Sequence, residues 1–189
     1  MDVRTQVPTN GGWWQDKWGP AWKEQVDKFR ARFGAVCTEV RMPGDYPTDV
    51  PILYVDKESI VEALSFLKSE PGFEYDFLAD ITATDEEIEP RFEIVYNLRS
   101  MAHHWRIRVK CRCPEDQDVP TVIGLWAGAN WAEREVFDMF GVKFRGHPDL
   151  RRILMDERFQ GHPLRKDYPL KGYQIFPTPM PVHPELLED

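Results

Sequence analysis

The stretch Trp105-Arg106-Ile107-Arg108-Val109-Lys110-Cys111-Arg112-Cys113 decides the fold. Apolar or sulfur-bearing side chains hold every odd position and cations hold 106, 108, 110 and 112. A period of 2 specifies a strand with one face on a core and the other, here basic, toward solvent. Upstream, Phe92, Ile94, Tyr96 and Leu98 share one face of a second strand, and Phe73, Tyr75, Phe77, Ala79 and Ile81 share one face of a third. The connectors, Thr82 to Pro90 and Arg99 to His104, are short enough for antiparallel neighbours.

Further toward the start, Val36, Thr38 and Val40 alternate, as do Val50, Ile52 and Tyr54, with Pro43-Gly44-Asp45 as the intervening turn. Trp18, Trp22, Val26, Phe29 and Phe33 recur at helical spacing, with Pro20 near the start and Gly34 past the end. Ile60, Val61, Leu64 and Leu67 give a second helical stripe, capped by Asp56 and ended by Pro71-Gly72. The fold class is α+β: a largely antiparallel sheet with helices on one face.

Downstream, Trp131, Val136, Phe137 and Phe140 form a third apolar helical face, with Asn130 and Glu133 placed as a capping box and Gly141 as the stop. Beyond Gly141 periodicity is lost and proline accumulates at 148, 163, 169, 177, 179, 181 and 184. The chain therefore divides into an α+β domain, 1–141, and an extended, Pro-rich basic C-terminal arm, 142–189, which lacks its own core and needs a partner surface.

Charge follows the same division. Residues 1–140 carry 16 basic and 25 acidic groups, residues 141–172 carry 8 and 4, and residues 173–189 carry none and 3, within a total of −8. A basic arm on an acidic body favours protein surface over nucleic acid or anionic lipid, since the whole-molecule field repels polyanions. The 189 residues are 42% hydrophobic and 30% charged, ordinary globular composition. No stretch reaches the ~20 apolar residues of a membrane span, and Met1–Asn10 has neither a secretory nor a transit pattern, so direct membrane insertion is not expected. Three cysteines, Cys37, Cys111 and Cys113, are too few for a disulfide framework or for the four thiolates of an iron–sulfur cluster.

Candidate chemistry is sparse. Glu133-Arg134-Glu135 with Asp138 is the densest ionisable set; Arg134 and Asp138 are spaced i, i+4 for an ion pair, and Glu135 with Asp138 could serve as an acid/base or metal pair. The helix supplies no nucleophile or histidine to complete a site. Gly146-His147-Pro148-Asp149-Leu150-Arg151-Arg152 is echoed by Gly161-His162-Pro163-Leu164-Arg165-Lys166-Asp167. Two histidines with Asp149 and Asp167 are a metal-site candidate, but trailing cations oppose a metal; rigid turns that aim Arg and Lys at a partner's carboxylates fit the arm better. His103-His104 reads as a solvated turn, the same-face pair Cys111 and Cys113 as core packing, Asp85-Glu86-Glu87-Ile88-Glu89 as a solvated loop, and Trp13, Trp14 and Trp18 as core cover or a docking patch. No dinucleotide, P-loop or C-x-x-C motif occurs.

The run Trp126-Ala127-Gly128-Ala129-Asn130-Trp131-Ala132-Glu133-Arg134-Glu135-Val136-Phe137-Asp138-Met139-Phe140-Gly141-Val142, continued through the two Gly-His-Pro segments to Leu170, closely resembles the 30 kDa subunit of proton-pumping NADH:quinone oxidoreductase, respiratory complex I. The resemblance implies a non-catalytic member of the peripheral arm, on the cytoplasmic face of a bacterial inner membrane. It implies that FMN and iron–sulfur clusters reside in partner subunits and that this chain binds no cofactor or metal. The partners it implies are the subunit that helps to form the quinone site and other peripheral-arm subunits. Glu133, Arg134, Glu135, Asp138, Phe140 and Gly141 carry over as structural and interface residues, with Glu135 and Asp138 expected to pair with arginines of the arm or of a partner. Arg151, Arg152, Arg165 and Lys166 are expected to bind acidic groups of the quinone-site subunit, with His147, His162 and Asp167 in the turns that hold them.

Other readings are the equivalent subunit of a complex I-like membrane-bound hydrogenase, a metallohydrolase using His147, His162, Glu135 and Asp138, and a nucleic-acid module on Arg106, Arg108, Lys110 and Arg112. Residues 177–189 have a composition compatible with order only in a complex.

Overall fold

A computed structural model describes residues 13–172. Helix α1 (Trp13–Phe33) leads into strands β1 (Cys37–Arg41) and β2 (Ile52–Val55), then a 3₁₀ turn (Lys57–Ser59) and helix α2 (Ile60–Ser69). Three strands follow, β3 (Phe77–Asp85), β4 (Phe92–Arg99) and β5 (Arg106–Cys113), then β6 (Asp118–Pro120), helix α3 (Ala129–Phe140) and β7 (Lys143–Arg145).

The main sheet has the order β1-β2-β5-β4-β3, and only the β2–β5 pairing is parallel. That topology follows from the connections. The turn-linked strands β3, β4 and β5 pair antiparallel in sequence, while the crossover through α2 carries the chain from β2 to the far edge. Alternation places Ile107, Val109, Cys111 and Cys113 of β5 in the core beside Ile94, Tyr96 and Leu98 of β4, as their period of 2 requires. The helices pack on this face: Val26, Phe29 and Phe33 from α1, Ile60, Ala63, Leu64 and Leu67 from α2, and Val136, Met139 and Phe140 from α3 join one hydrophobic cluster. Phe33 and Phe66 meet edge to face at 5.3 Å between centroids, joining α1 to α2.

Four sequence expectations are corrected. Helix α1 begins at Trp13, so Pro20 lies inside it rather than near its start. A register shift between Leu78 and Asp80 bulges β3, so Phe77 and Ala79 are exposed and do not share the buried face of Ile81. The strand runs on through Asp85, which is buried and belongs to no solvated loop. Finally, the loss of periodicity at Gly141 does not separate residues 142–172 from the body: β7 pairs parallel with β6, and Val142 and Phe144 join the core. The expectations for the side chains of Trp13, Trp14 and Trp18 and for residues 177–189 lie outside the described residues. Among the described residues no helix is long and apolar enough to cross a membrane.

Candidate interaction site

The motif block folds into one device: helix α3 with residues 142–172 wrapped around it. Its start differs from the capping box expected of Asn130. The turn Ala127–Gly128 precedes the helix, and the amides of Ala129 and Asn130 already donate to Trp126 O and Ala127 O, so Asn130 lies inside the helix. Glu133 turns inward instead of back. It is fully buried, and its two oxygens accept from the Thr121 hydroxyl at 2.6 Å and the Val122 amide at 2.7 Å. Burial pushes this carboxyl up to about 7, against the pull of those two donors. Glu133 therefore ties α3 to the segment after β6.

The other end is built around Asp138 and Gly141. The last four carbonyls of a helix lack intrahelical partners, and here each finds a donor. The Gly141 amide donates to Phe137 O at 2.8 Å, with Gly141 in the left-handed region at φ 79°. His162 Nδ1 donates to Asp138 O at 2.9 Å, the Leu164 amide to Met139 O at 3.1 Å, and Arg165 Nε to Phe140 O at 2.5 Å. The second Gly-His-Pro turn is thus the C-terminal cap of α3. The first reaches the opposite end, where His147 Nε2 lies 3.3 Å from Asn130 O.

Asp138 is the centre of the arm's attachment. Its Oδ2 accepts from the amides of Ile153, Leu154 and Met155 at 3.0, 2.8 and 2.8 Å, and its Oδ1 from Arg152 at 2.6 Å. Burial opposes its charge, but the three amides and the guanidinium outweigh that and hold its pKa below the usual carboxylate range. Arg134 does not form the i, i+4 pair expected with Asp138. Arg152 occupies that carboxylate, and Arg134 instead donates to the carbonyls of Arg151 and Arg152 at 3.1 and 3.0 Å.

The expectation that the arm's cations reach a partner is also corrected in part. Arg152 is committed to Asp138 and Gly161 O, and Arg165 to Phe140 O and Glu115. Arg151 pairs with Asp149, both exposed, and the Lys166 ammonium lies 3.9 Å from Glu87. A second tie, invisible in the motif block, fastens the arm to the sheet. Arg91 bridges Asp85, Glu115 and Asp167 at 2.9, 2.7 and 3.0 Å, while the Lys166 amide donates to Asp85 at 3.0 Å. Arg91 holds the Asp85 carboxyl down at about 2. Asp85 carried a signal in the sequence: it continues the core-facing alternation of Ile81 and Ala83, where a buried acid demands a cation.

The residues put forward as a metal or acid/base set are not brought together. Glu135 is exposed, and His147 and His162 bond to Asn130 O and Asp138 O at opposite ends of the helix. Among the described residues no three of His, Cys, Asp and Glu group to hold a metal. Burial raises the thiols of Cys37, Cys111 and Cys113, that of Cys113 to about 11. Outward from this device, Trp131, Leu154, Leu164 and Leu170 are large apolar side chains that the described chain leaves exposed.

What α3 and residues 142–172 form is a positioning device, one that fixes an irregular segment over the body and presents its outer side. Residues 53–174 match the profile of the family described as respiratory-chain NADH dehydrogenase, 30 Kd subunit, and the chain belongs to that family. The chain is 56% identical over 121 residues to the C 2 subunit of NADH-quinone oxidoreductase from Rhizobium meliloti, a match covering 64% of this chain and 66% of that one. It is 47% identical over 150 residues to the C subunit of NADH-quinone oxidoreductase from Geobacter metallireducens, covering 78% and 89%. The chain spans 43% of the length of the mitochondrial 30.4 kDa subunit of Neurospora crassa NADH-ubiquinone oxidoreductase, with 52% identity over 122 residues. Among solved structures, a chain of the archaeal membrane-bound sulfane sulfur reductase superposes with a TM-score of 0.64 at 27% identity, covering 78% of this chain and 85% of that one.

Proposed function

We propose that this chain is a non-catalytic peripheral-arm subunit of a bacterial NADH:quinone oxidoreductase, supporting electron transfer from NADH through FMN and iron–sulfur clusters to quinone, coupled to proton translocation. In this reading the flavin and clusters sit in partner subunits, and the chain binds no cofactor of its own. It lies peripherally at the cytoplasmic face of the inner membrane, without inserting into it or binding nucleic acid. The arm docks on the neighbour that helps to form the quinone site.

The observation that carries the proposal is the capping of α3 by residues 162–165. Main-chain and guanidinium donors of the motif block are consumed inside the chain, so the block's work is to hold the arm in place. What then faces outward is Trp131, Leu154, Leu164 and Leu170, the kind of aromatic and aliphatic surface that partner subunits cover. Arg151 and Lys166 are among the exposed cations of the same segment.

Affinity capture of the tagged chain from gently solubilised native membranes tests this. Co-purification of flavoprotein, iron–sulfur and quinone-site subunits with NADH-dependent quinone reduction is the expected result, with no such activity from the chain alone. Recovery of a hydrogenase or sulfur-reductase set instead would move the chain to a sister assembly, a reading favoured by the likeness to the sulfane sulfur reductase chain. Trp131→Asp with Leu164→Asp should release the quinone-site subunit while leaving the isolated chain folded.

A further inference from the structure

The face of the main sheet away from the helices is open at the end where Phe77, Arg99 and Arg106 are exposed, while Tyr54, Glu93 and Val95 are buried further along it, and its cations fall into two groups. At one end every cation has a carboxylate: Lys110 is paired with Glu93, Arg41 with Glu39 at 2.6 Å, and Arg112 lies 3.7 Å from Glu39 and 3.8 Å from Glu93. These three also gather around the ring of Tyr54, with Arg41 at 4.8 Å and Arg112 at 4.9 Å from its centroid.

At the other end the matching stops. Arg99 of β4 stands directly opposite Arg106 of β5, and Phe77 of β3 stands opposite Arg99, so the three form one row on the open face. In the next row Arg108 stands opposite Asn97, to which its Nε donates at 2.9 Å, leaving the two terminal nitrogens of the guanidinium without a carboxylate among the described residues. Asp80 shares that row across Asn97 and makes no ion pair with any of the three arginines among the described residues. Like charges directly opposite in a sheet disfavour the fold. A chain with 32 acids to 24 bases has carboxylates to spare, and it uses them along the same strand at Lys110 and Arg112. Phe77, next to this unmatched pair, is 49% exposed.

We propose that the end of the open sheet face carrying Phe77, Arg99, Arg106 and Arg108 is a docking surface for an acidic polypeptide segment of another subunit, separate from the surface presented by the arm. Neighbouring strands place the roots of Arg99 and Arg106 about 5 Å apart, and alternate residues place those of Arg106 and Arg108 about 7 Å apart. These are the spacings of carboxylates one turn apart on a helix or two residues apart on a strand. Planar guanidiniums bind such carboxylates in bidentate fashion, and Phe77 supplies an apolar anchor beside them. A polyanion such as nucleic acid or an anionic membrane would also meet the net −8 field of the chain, whereas a short acidic segment meets only the local patch. The inference rests on the chain's place in a multi-subunit assembly, and not on which neighbour the arm binds.

Intact complex carrying Arg106→Lys or Arg108→Lys, each of which keeps the charge, is treated with a carbodiimide. The reagent activates a carboxylate and takes up the elements of water as the introduced amine forms an amide at contact distance. Mass spectrometry should find that amide between position 106 or 108 and an Asp or Glu of another subunit, absent from the wild type. Coupling only to carboxylates of this chain, to lipid, or to nothing overturns the proposal. In parallel, Arg106→Glu should lower the occupancy of the cross-linked partner at least tenfold in complex captured through this chain, while the partner held through the arm remains. Unchanged occupancy of the cross-linked partner overturns the proposal, whether or not the arm's partner is lost.

Discussion

Arg152 donates to Asp138 Oδ1 at 2.6 Å, and the same carboxylate accepts the three amides that follow Arg152 in the chain. One buried side chain thus holds four consecutive residues of an otherwise irregular segment. Asp138→Ala leaves those donors without an acceptor, which should cost roughly 3–5 kcal/mol, whereas Asp138→Asn, which keeps an acceptor, should recover part of it. Urea denaturation measures the loss, and trypsin cleavage after Arg151, Arg152 and Arg158 should rise in the alanine variant before global unfolding.

Gly141 and Gly146 both have positive φ, 79° and 84°, but their surroundings differ. A Cβ at Gly141 would stand 2.6 Å from both Arg165 Nη2 and His162 Nε2, while at Gly146 the nearest atom is Thr121 Cγ2 at 3.4 Å. Gly146→Ala should therefore cost only the left-handed strain of about 1–2 kcal/mol. Gly141→Ala should cost measurably more, because it also displaces the cap of α3. Equal midpoints for the two variants in chemical denaturation would contradict this.

The buried Glu133 gives stability a pH dependence of unusual sign. Its carboxyl titrates at about 7 in the fold and near its ordinary 4.5 when unfolded, so between those values the folded state holds a proton that the unfolded state has lost. Stability from this group is then complete below about pH 4.5, declines by up to about 1.4 kcal/mol per pH unit, and levels off above 7. Glu133→Gln keeps the acceptor for the Val122 amide and removes the titration. The variant should gain on the wild type by up to about 3 kcal/mol from pH 5 to pH 8; parallel curves would refute the assignment.

Asp85 behaves in the opposite sense. Its carboxyl, held near 2 by Arg91, contributes stability that is present above the ordinary 3.8 and is lost as pH falls through 2. Arg91→Ala should cost about 2 kcal/mol at neutral pH, with the gap from wild type closing toward pH 2. Denaturation midpoints at pH 7, 4 and 2.5 would reveal the convergence.

The regular parts of the molecule are legible because burial on one face writes a period into the sequence. The alternation through Cys113 and the stripe of α2 appear where that period places them, whereas in α3 Val136 and Phe140 do so and Trp131, read with them, is exposed. The bulge in β3 is not legible, since one inserted residue leaves the composition of the strand unchanged. Most of the interaction device is hidden for a different reason. Leu164, Ile153, Leu154 and Met155 act through their amides, which every residue but proline possesses, so nothing in their identity announces the role. Glu133 is misleading in the sequence because a local capping rule and a long-range bond to Thr121 compete for the same carboxylate, and only tertiary packing decides between them. The arm's arginines look outward-facing in the sequence because their partners, Asp138 and Glu115, are distant along the chain or have a nearer cation at helical spacing.

The cap that residues 162–165 place on α3 makes the arm and the helix a single thermodynamic unit. A partner that grips the arm's outer side cannot do so without also tightening α3 and the sheet beneath it, so assembly raises the stability of the whole body by mass action. Conversely, much of the entropy of ordering residues 142–172 is lost when the chain folds rather than when it binds. The partner then meets a rigid surface, and its affinity is not eroded by having to order that stretch of the arm.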